Sequence, residues 1–243
     1  MRCPRIYSAQ VLALGAQITL EADAAHHLAR VLRLPIGSPL ILFNGDGNEY
    51  PAEIIALDKK NVVVVISNVL TEARESPLAI HLGVAISKGE RMDWVIQKAT
   101  ELGVTEISPL QTERVEVRLH GEREEKKLAH WRAVAISACE QCARNRIPTI
   151  NDVQPLFNWI ENIQVDAKFV LHHRSVAVLD AQNAAPKSVA LLIGPEGGLS
   201  ELEINAAEQR GFQSLRLGPR VLRTETAPLA ALSVLQFLWG DLR

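Results

Sequence analysis

Only three cysteines occur in 243 residues, Cys3, Cys139 and Cys142. They are too few to staple a chain of this length, so the fold must rest on a hydrophobic core, and their scarcity suits a reducing compartment. Neither sign of charge prevails. With 26 Lys and Arg against 28 Asp and Glu, the net charge neither demands nor excludes nucleic acid, whose recognition depends on local clusters. Apolar runs such as 62–66 and 189–193 fall far short of the roughly 20 residues that cross a bilayer, and no apolar signal-peptide core follows Met1. The expectation is a soluble, cytoplasmic protein with no membrane segment. Internal repeats and low-complexity tracts are absent as well. At 47% hydrophobic residues the chain can bury a sizeable core, as one large domain or two unequal ones.

The hydrophobic pattern favours two. Residues 1–70 read as a small β-rich unit: short strands at 18–21 and 40–43, the turn-rich NGDGN cluster at 44–48, a strand over 50–57, a turn at 59–61 and the β-branched run 62–66. A helix over about 22–32 interrupts them and ends at Pro35 and Gly37. The polar stretch 71–77 marks a linker, and residues 78–243 form the second domain, where strands and helices alternate as in an α/β layer with a parallel sheet. Strands are expected at 78–86, 104–110, 169–172, 189–193 and 214–217. Met92, Val95, Ile96 and Ala99 form one apolar helix face that Gly103 closes, and Leu128, Trp131, Ala135, Ala138 and Cys142 form another. Ser200 and Glu203 make a capping box for a helix that Gly211 ends. The last helix, 228–239, is apolar on nearly every side, so it must be buried all round or shared with a partner.

Two loops stand where open α/β sheets hold ligands, after a strand and before a helix. Residues 194–198 (GPEGG) carry glycines that let backbone amides and carbonyls approach a ligand. They match neither the P-loop nor the GxGxxG fingerprint, and by themselves they are also compatible with an ordinary strand-to-helix turn. Residues 217–227 (LGPRVLRTETA) bring Arg223 and Glu225 beside the apolar helix, with Thr226 as an N-cap and Pro228 in the first turn. Capping does not require Arg223, which favours a role toward an anionic or polar substrate.

Between 114 and 146, eight Lys and Arg stand against five Asp and Glu, a modest basic patch. Glu122 to Lys127 reads as a solvated helix face with ion pairs, whereas Arg114, Arg118, Arg144 and Arg146 lie in or beside loops and are candidates for phosphate contact. In the first unit the basic residues balance the acidic ones, and Arg30 and Arg33 on the helix of His26 and His27 could face nucleic acid. The CxxC at 139–142 lacks a second ligand pair at zinc-finger spacing and lacks the thioredoxin strand-to-helix context. Packing is its expected role, with no metal. Of the adjacent His26 and His27, at least one packs or caps. No hydrolase elbow is present.

Taken together, His26-His27-Leu28 with Val31-Leu32-Arg33, the stretch KGERMDWVIQKATELG (88–103), Glu140-Gln141-Cys142 with Arg144, IGPEGG (193–198) and LGPRVLRTETA (217–227) resemble the ribosomal RNA small subunit methyltransferase E family of the SPOUT superfamily. The matches span nearly the whole chain in order, and the last two together are highly specific. Ala143 stands where a glycine-like residue is expected, and Leu199 where an aromatic is common.

The resemblance implies an α/β SPOUT methyltransferase domain with a C-terminal trefoil knot, preceded by a small PUA-like β-barrel whose RNA affinity is assigned to Arg5, Arg30 and Arg33. Sequence pattern alone shows no knot, and general topology disfavours one. It also implies a homodimer, and transfer of a methyl group from S-adenosylmethionine (SAM) to N3 of a uridine in 16S rRNA within the small ribosomal subunit. SAM is placed near Leu171, His172, Ile193, Gly194, Gly198, Leu217, Gly218 and Leu222. Uridine N3 must lose its imide proton while charge develops on O2 and O4. Arg223 is therefore assigned as charge stabiliser, Glu225 as its orienter or as base, and Glu196 as second candidate base. Two alternatives remain at this point: 2'-O-ribose methylation of tRNA or rRNA at the same cofactor site, and a non-catalytic RNA-binding protein.

Overall fold

Ile6 alone faces inward in the first strand, β1 (Arg5–Tyr7), and the same period-two alternation recurs at 17–19 and 62–66. The computed structural model describes residues 3–58, 61–72, 74–172 and 185–243, so the expected turn residues Lys59 and Lys60 and position 73 of the linker lie outside it. The chain divides into two units, Met1–Glu75 with Cys139–Ile147, and Ser76–Ala138 with Pro148–Arg243. The second unit is thus not the uninterrupted 78–243 expected. The end of a long helix and the loop after it group with the first unit.

In the first unit β1 is followed by β2 (Gln17–Thr19), α1 (Ala22–His26), β3 (Pro39–Phe43), β4 (Asn48–Leu57), β5 (Val62–Ile66) and β6 (Leu70–Thr71). They form one sheet in the order β1-β3-β4-β5-β2, with β6 on β4; β1 and β3 run parallel and the other pairs antiparallel. Val62, Val64 and Ile66 of β5 point into a core shared with Leu28, Leu40, Leu42 and Ile54. The helix expected over 22–32 is α-helical only to His26 and continues as a π turn, His27–Val31, after which Arg33 adopts φ +52°.

A buried ionic cluster joins Cys139–Ile147 to this sheet. Arg5 pairs with Glu49 at 2.6 Å and donates to Asn145 Oδ1 at 2.5 Å, while Arg144 meets Glu75 through both Nε and Nη2. Ala143 takes φ +69° as its N–H bonds Cys139 O. This left-handed helix exit is why a glycine-like residue is expected there.

The second unit carries β7 (Ala79–Ala85), α2 (Arg91–Glu101), β8 (Glu106–Gln111), α3 (Glu122–Cys142), β9 (Thr149–Ile150), β10 (Gln154–Pro155), α4 (Leu156–Asn162), β11 (Ala167–Leu171), β12 (Ser188–Ile193), α5 (Glu201–Gln209), β13 (Gln213–Leu215) and α6 (Thr226–Trp239). Its sheet is wholly parallel, in the order β10-β8-β7-β12-β11-β13 with β9 on β8. Val189 to Ile193 of β12 are all buried, as strands covered on both faces must be.

The expected face of α2 is buried, as is that of α3 except for the half-buried Cys142, and Lys126 pairs with Glu122 on the solvated side of α3. The expected N-cap Thr226 is instead the first residue of α6, and the cap position, Glu225, makes no side-chain cap bond. Helix α6 buries Ala231, Leu232, Leu235 and Gln236 but leaves Val234 and Phe237 exposed, so it is not covered all round by its own chain. No described helix is long and apolar enough to cross a membrane.

Candidate active site

Three neighbouring parallel strands end side by side. Ile193 closes β12, Leu171 stands opposite it in β11, and Leu215 of β13 stands opposite Leu171 on the other side. The His172 N–H bonds Leu215 O at 3.2 Å, holding the ends of β11 and β13 together. Above these carboxyl ends lies an open cleft of about 730 Å³, of the size that takes a nucleoside-like ligand.

The GPEGG loop forms one wall. Gly198 turns at φ +68°, where a side chain is strained, and its N–H bonds Pro195 O at 2.8 Å, while a Cβ on Gly194 would stand 2.9 Å from Leu199 N, so that position excludes a side chain. Ser200 and Glu203 close the reciprocal capping box that starts α5. The second wall is the 217–227 loop, whose Arg223 carbonyl accepts the N–H groups of Thr226 and Ala227 at 2.9 Å each. Leu217 and Leu222 line the cleft with Leu171, His172, Ile193, Gly194 and Gly198, and so do Glu196, Arg223 and Glu225. Gly218 turns the loop at φ +72° without lining the cleft.

The cleft holds five arginines, at 91, 114, 216, 220 and 223, against three carboxylates, Glu196, Glu201 and Glu225. This balance favours a negatively charged partner. Arg91, the first residue of α2, pairs with Glu196 at 2.7 Å and lies 3.9 Å from Glu225. Among the described residues the Arg223 guanidinium has neither ion pair nor hydrogen bond, so its donors remain free.

The chain matches the RNA methyltransferase domain family over residues 74–236 and the RNA methyltransferase PUA domain family over 20–67. It is 38% identical over 242 residues, 99% of this chain and 98% of the relative, to ribosomal RNA small subunit methyltransferase E of Buchnera aphidicola subsp. Schizaphis graminum. The protein of that name from Bacillus subtilis is 33% identical, covering 90% of this chain and 89% of its own. The chain belongs to the ribosomal RNA small subunit methyltransferase E family. Two solved structures superpose over the full length of both chains: the Neisseria gonorrhoeae enzyme of this name bound to S-adenosyl methionine, at TM-score 0.93 and 36% identity, and a Legionella pneumophila protein in complex with the bound cofactor SAM, at 0.95 and 46%.

For this member of the methyltransferase E family, the fold is thus a parallel α/β unit with a PUA-like domain. The structure sorts the arginines that sequence had grouped. Arg5 and Arg144 are buried in the ionic cluster, their side chains 8% and 6% exposed, so their assignment as RNA contacts is corrected: each guanidinium is committed to a carboxylate. Arg114 lies on the cleft and donates from Nη1 to the carbonyl of Gly197 at 3.0 Å. Arg30, Arg33, Arg118 and Arg146 are exposed.

Sequence reasoning placed Arg91 only inside a family motif and missed its bridge between the two candidate bases. The signal available was its position at the start of a helix after a strand end, which is weak without the sheet order. Cys139 is buried, donates to Arg146 O at 3.6 Å, and burial pushes its thiol up to about 12, which leaves it protonated and unreactive.

Proposed function

We propose that this chain transfers a methyl group from SAM to N3 of a uridine in 16S rRNA. The observation that carries the reading is the joining of the GPEGG and LRTETA loops in one cleft at the ends of β11, β12 and β13. The residues present fit the cofactor: Leu171, Ile193, Leu217 and Leu222 give an apolar bed, and glycine-lined backbone supplies polar contacts at close range. SAM, when bound, supplies an electrophilic methyl group.

The chain's own groups do the rest. The free Arg223 donors meet charge developing on the uracil oxygens, and Glu225 or Glu196 accepts the imide proton while Arg91 holds both carboxylates in place. Alignment of N3 with the methyl carbon supplies much of the rate.

The finer architecture and setting belong to the same proposal. The first unit is a PUA-like barrel that binds RNA, the C-terminal segment of the second is threaded as a trefoil knot, and the enzyme works in the cytoplasm on the small ribosomal subunit. It is a homodimer, a reading supported by the exposed Val234 and Phe237 on α6. Light scattering at micromolar concentration should give twice the 26.8 kDa chain mass.

Mapping of methylated nucleosides in small-subunit rRNA from cells with and without the protein tests the activity. Loss of one N3-methyluridine is expected. Loss of a ribose methylation would support the 2'-O reaction instead, and an unchanged pattern would leave RNA binding without catalysis.

A further inference from the structure

Glu203 is 1% exposed, yet among the described residues no basic group pairs with it. Its two oxygens accept backbone N–H groups instead. Oε2 takes the N–H of Ser200 at 2.8 Å, which completes the capping box, and Oε1 takes the N–H of Glu113 at 2.7 Å. Capping α5 requires the first of these bonds and not the second. The second reaches back to the loop that follows β8. That loop answers through Arg114, whose Nη1 donates to the carbonyls of Gly197 at 3.0 Å and Leu199 at 3.5 Å. The Arg114 stem also lies against Gly197, where an added Cβ would stand 3.3 Å from the Arg114 Cβ. The distal side of residues 194–199 is therefore gripped by two charged side chains, one acting from α5 on the β8 loop and one acting from the β8 loop on the glycine loop.

We propose that Glu203 and Arg114 are positioning residues that hold the 194–199 loop in the shape the methyl donor binds. The inference rests on the methyltransferase reading and deepens it. A loop that spends only part of its time in the competent shape raises the apparent dissociation constant by the inverse of that fraction. Glu203→Gln turns one acceptor into an NH2 group facing a backbone N–H, and two donors in a dry site leave one unmatched. The loop relieves that mismatch by moving. Arg114→Ala removes the opposing grip from an exposed residue, so this variant keeps the test available even where Glu203→Gln folds poorly.

Calorimetric titration of SAM into the full-length wild type, Glu203→Gln, Arg114→Ala and Arg114→Lys gives the readout. The dissociation constant should rise on the order of tenfold in Glu203→Gln and Arg114→Ala. The loss should fall on the KM for SAM far more than on kcat, and Arg114→Lys should recover part of the affinity. Folded variants with a lowered thermal midpoint but SAM affinity within about twofold of wild type would show a purely structural role and overturn the proposal. A wild type that binds no SAM would overturn the methyltransferase reading and the clamp with it, an outcome distinct from variants that bind as well as wild type.

Discussion

Arg91 places one guanidinium between two carboxylates from separate loops, 2.7 Å from Glu196 and 3.9 Å from Glu225. The Arg91 side chain is 43% exposed, so the pair contributes little to stability and its effect is on geometry. Arg91→Ala should lower the methyl-transfer rate by about tenfold to a hundredfold, because both candidate bases lose their common anchor. Combined with Glu196→Gln, the loss should fall short of the product of the two single losses, since each substitution removes the same contact. Strictly multiplicative rates in single-turnover assays would show that the two side chains act independently.

Arg223 is exposed on the cleft with its donors free to meet a developing oxyanion. Arg223→Ala should slow single-turnover transfer by on the order of 10² or more, with SAM affinity little changed. Glu225→Gln and Glu196→Gln separate the proton acceptor from the orienter. Loss of the base should change the pH dependence of transfer, whereas loss of an orienter should lower the rate at every pH. A near-normal Arg223→Ala rate, measured with saturating RNA and SAM on folded protein, would move charge stabilisation to Arg216 or Arg220.

Both loops and their strand-to-helix setting were legible in the sequence, because glycine-rich turns and apolar strands are local signals. Val62–Ile66 was legible to the residue, since five β-branched positions admit little else. What stayed hidden depends on distance in the chain. Arg5 and Arg144 read as free cations until the fold set Glu49 and Glu75 against them, and the adjacency of β11 and β13 follows from a strand order that no periodicity encodes. The π turn at His27–Val31 was likewise invisible, as its apolar spacing matches an ordinary helix over so few residues.

His81 is partly buried in the second unit, accepting Trp159 Nε1–H at 3.1 Å, next to Ser108 Oγ at 2.9 Å and 3.5 Å from Glu106. Burial holds its pKa below the ordinary 6.5, against the opposing pull of Glu106. The unfolded chain therefore takes up a proton that the folded chain refuses. Stability that is full above about pH 6.5 should fall as pH drops toward the lowered folded value, and level off below it. Thermal midpoints from pH 8 to pH 5 should show this slope in wild type and a flatter one in His81→Gln. Parallel profiles would assign the pH dependence to other groups.

The arginines of the first unit should separate into two classes under substitution. The Arg5–Glu49 pair is enclosed on both sides, 8% and 4% exposed, so Arg5→Ala leaves the buried carboxylate with only the half-exposed Arg74, 3.3 Å away, and should cost about 1–3 kcal/mol of stability. Arg144→Ala should cost less, because Glu75, 27% exposed, keeps part of its hydration. Arg30, Arg33 and Arg146 are exposed, and Gln at each should shift stability by no more than about 0.5 kcal/mol. Where these residues contact phosphate, each Gln should weaken RNA binding and reduce the slope of log affinity against log salt by about one. Binding titrations at several salt concentrations, paired with denaturant unfolding, read both quantities on the same proteins. An Arg5→Ala variant of unchanged stability that lost RNA affinity with a reduced salt slope would return Arg5 to the RNA-binding surface and undo this division.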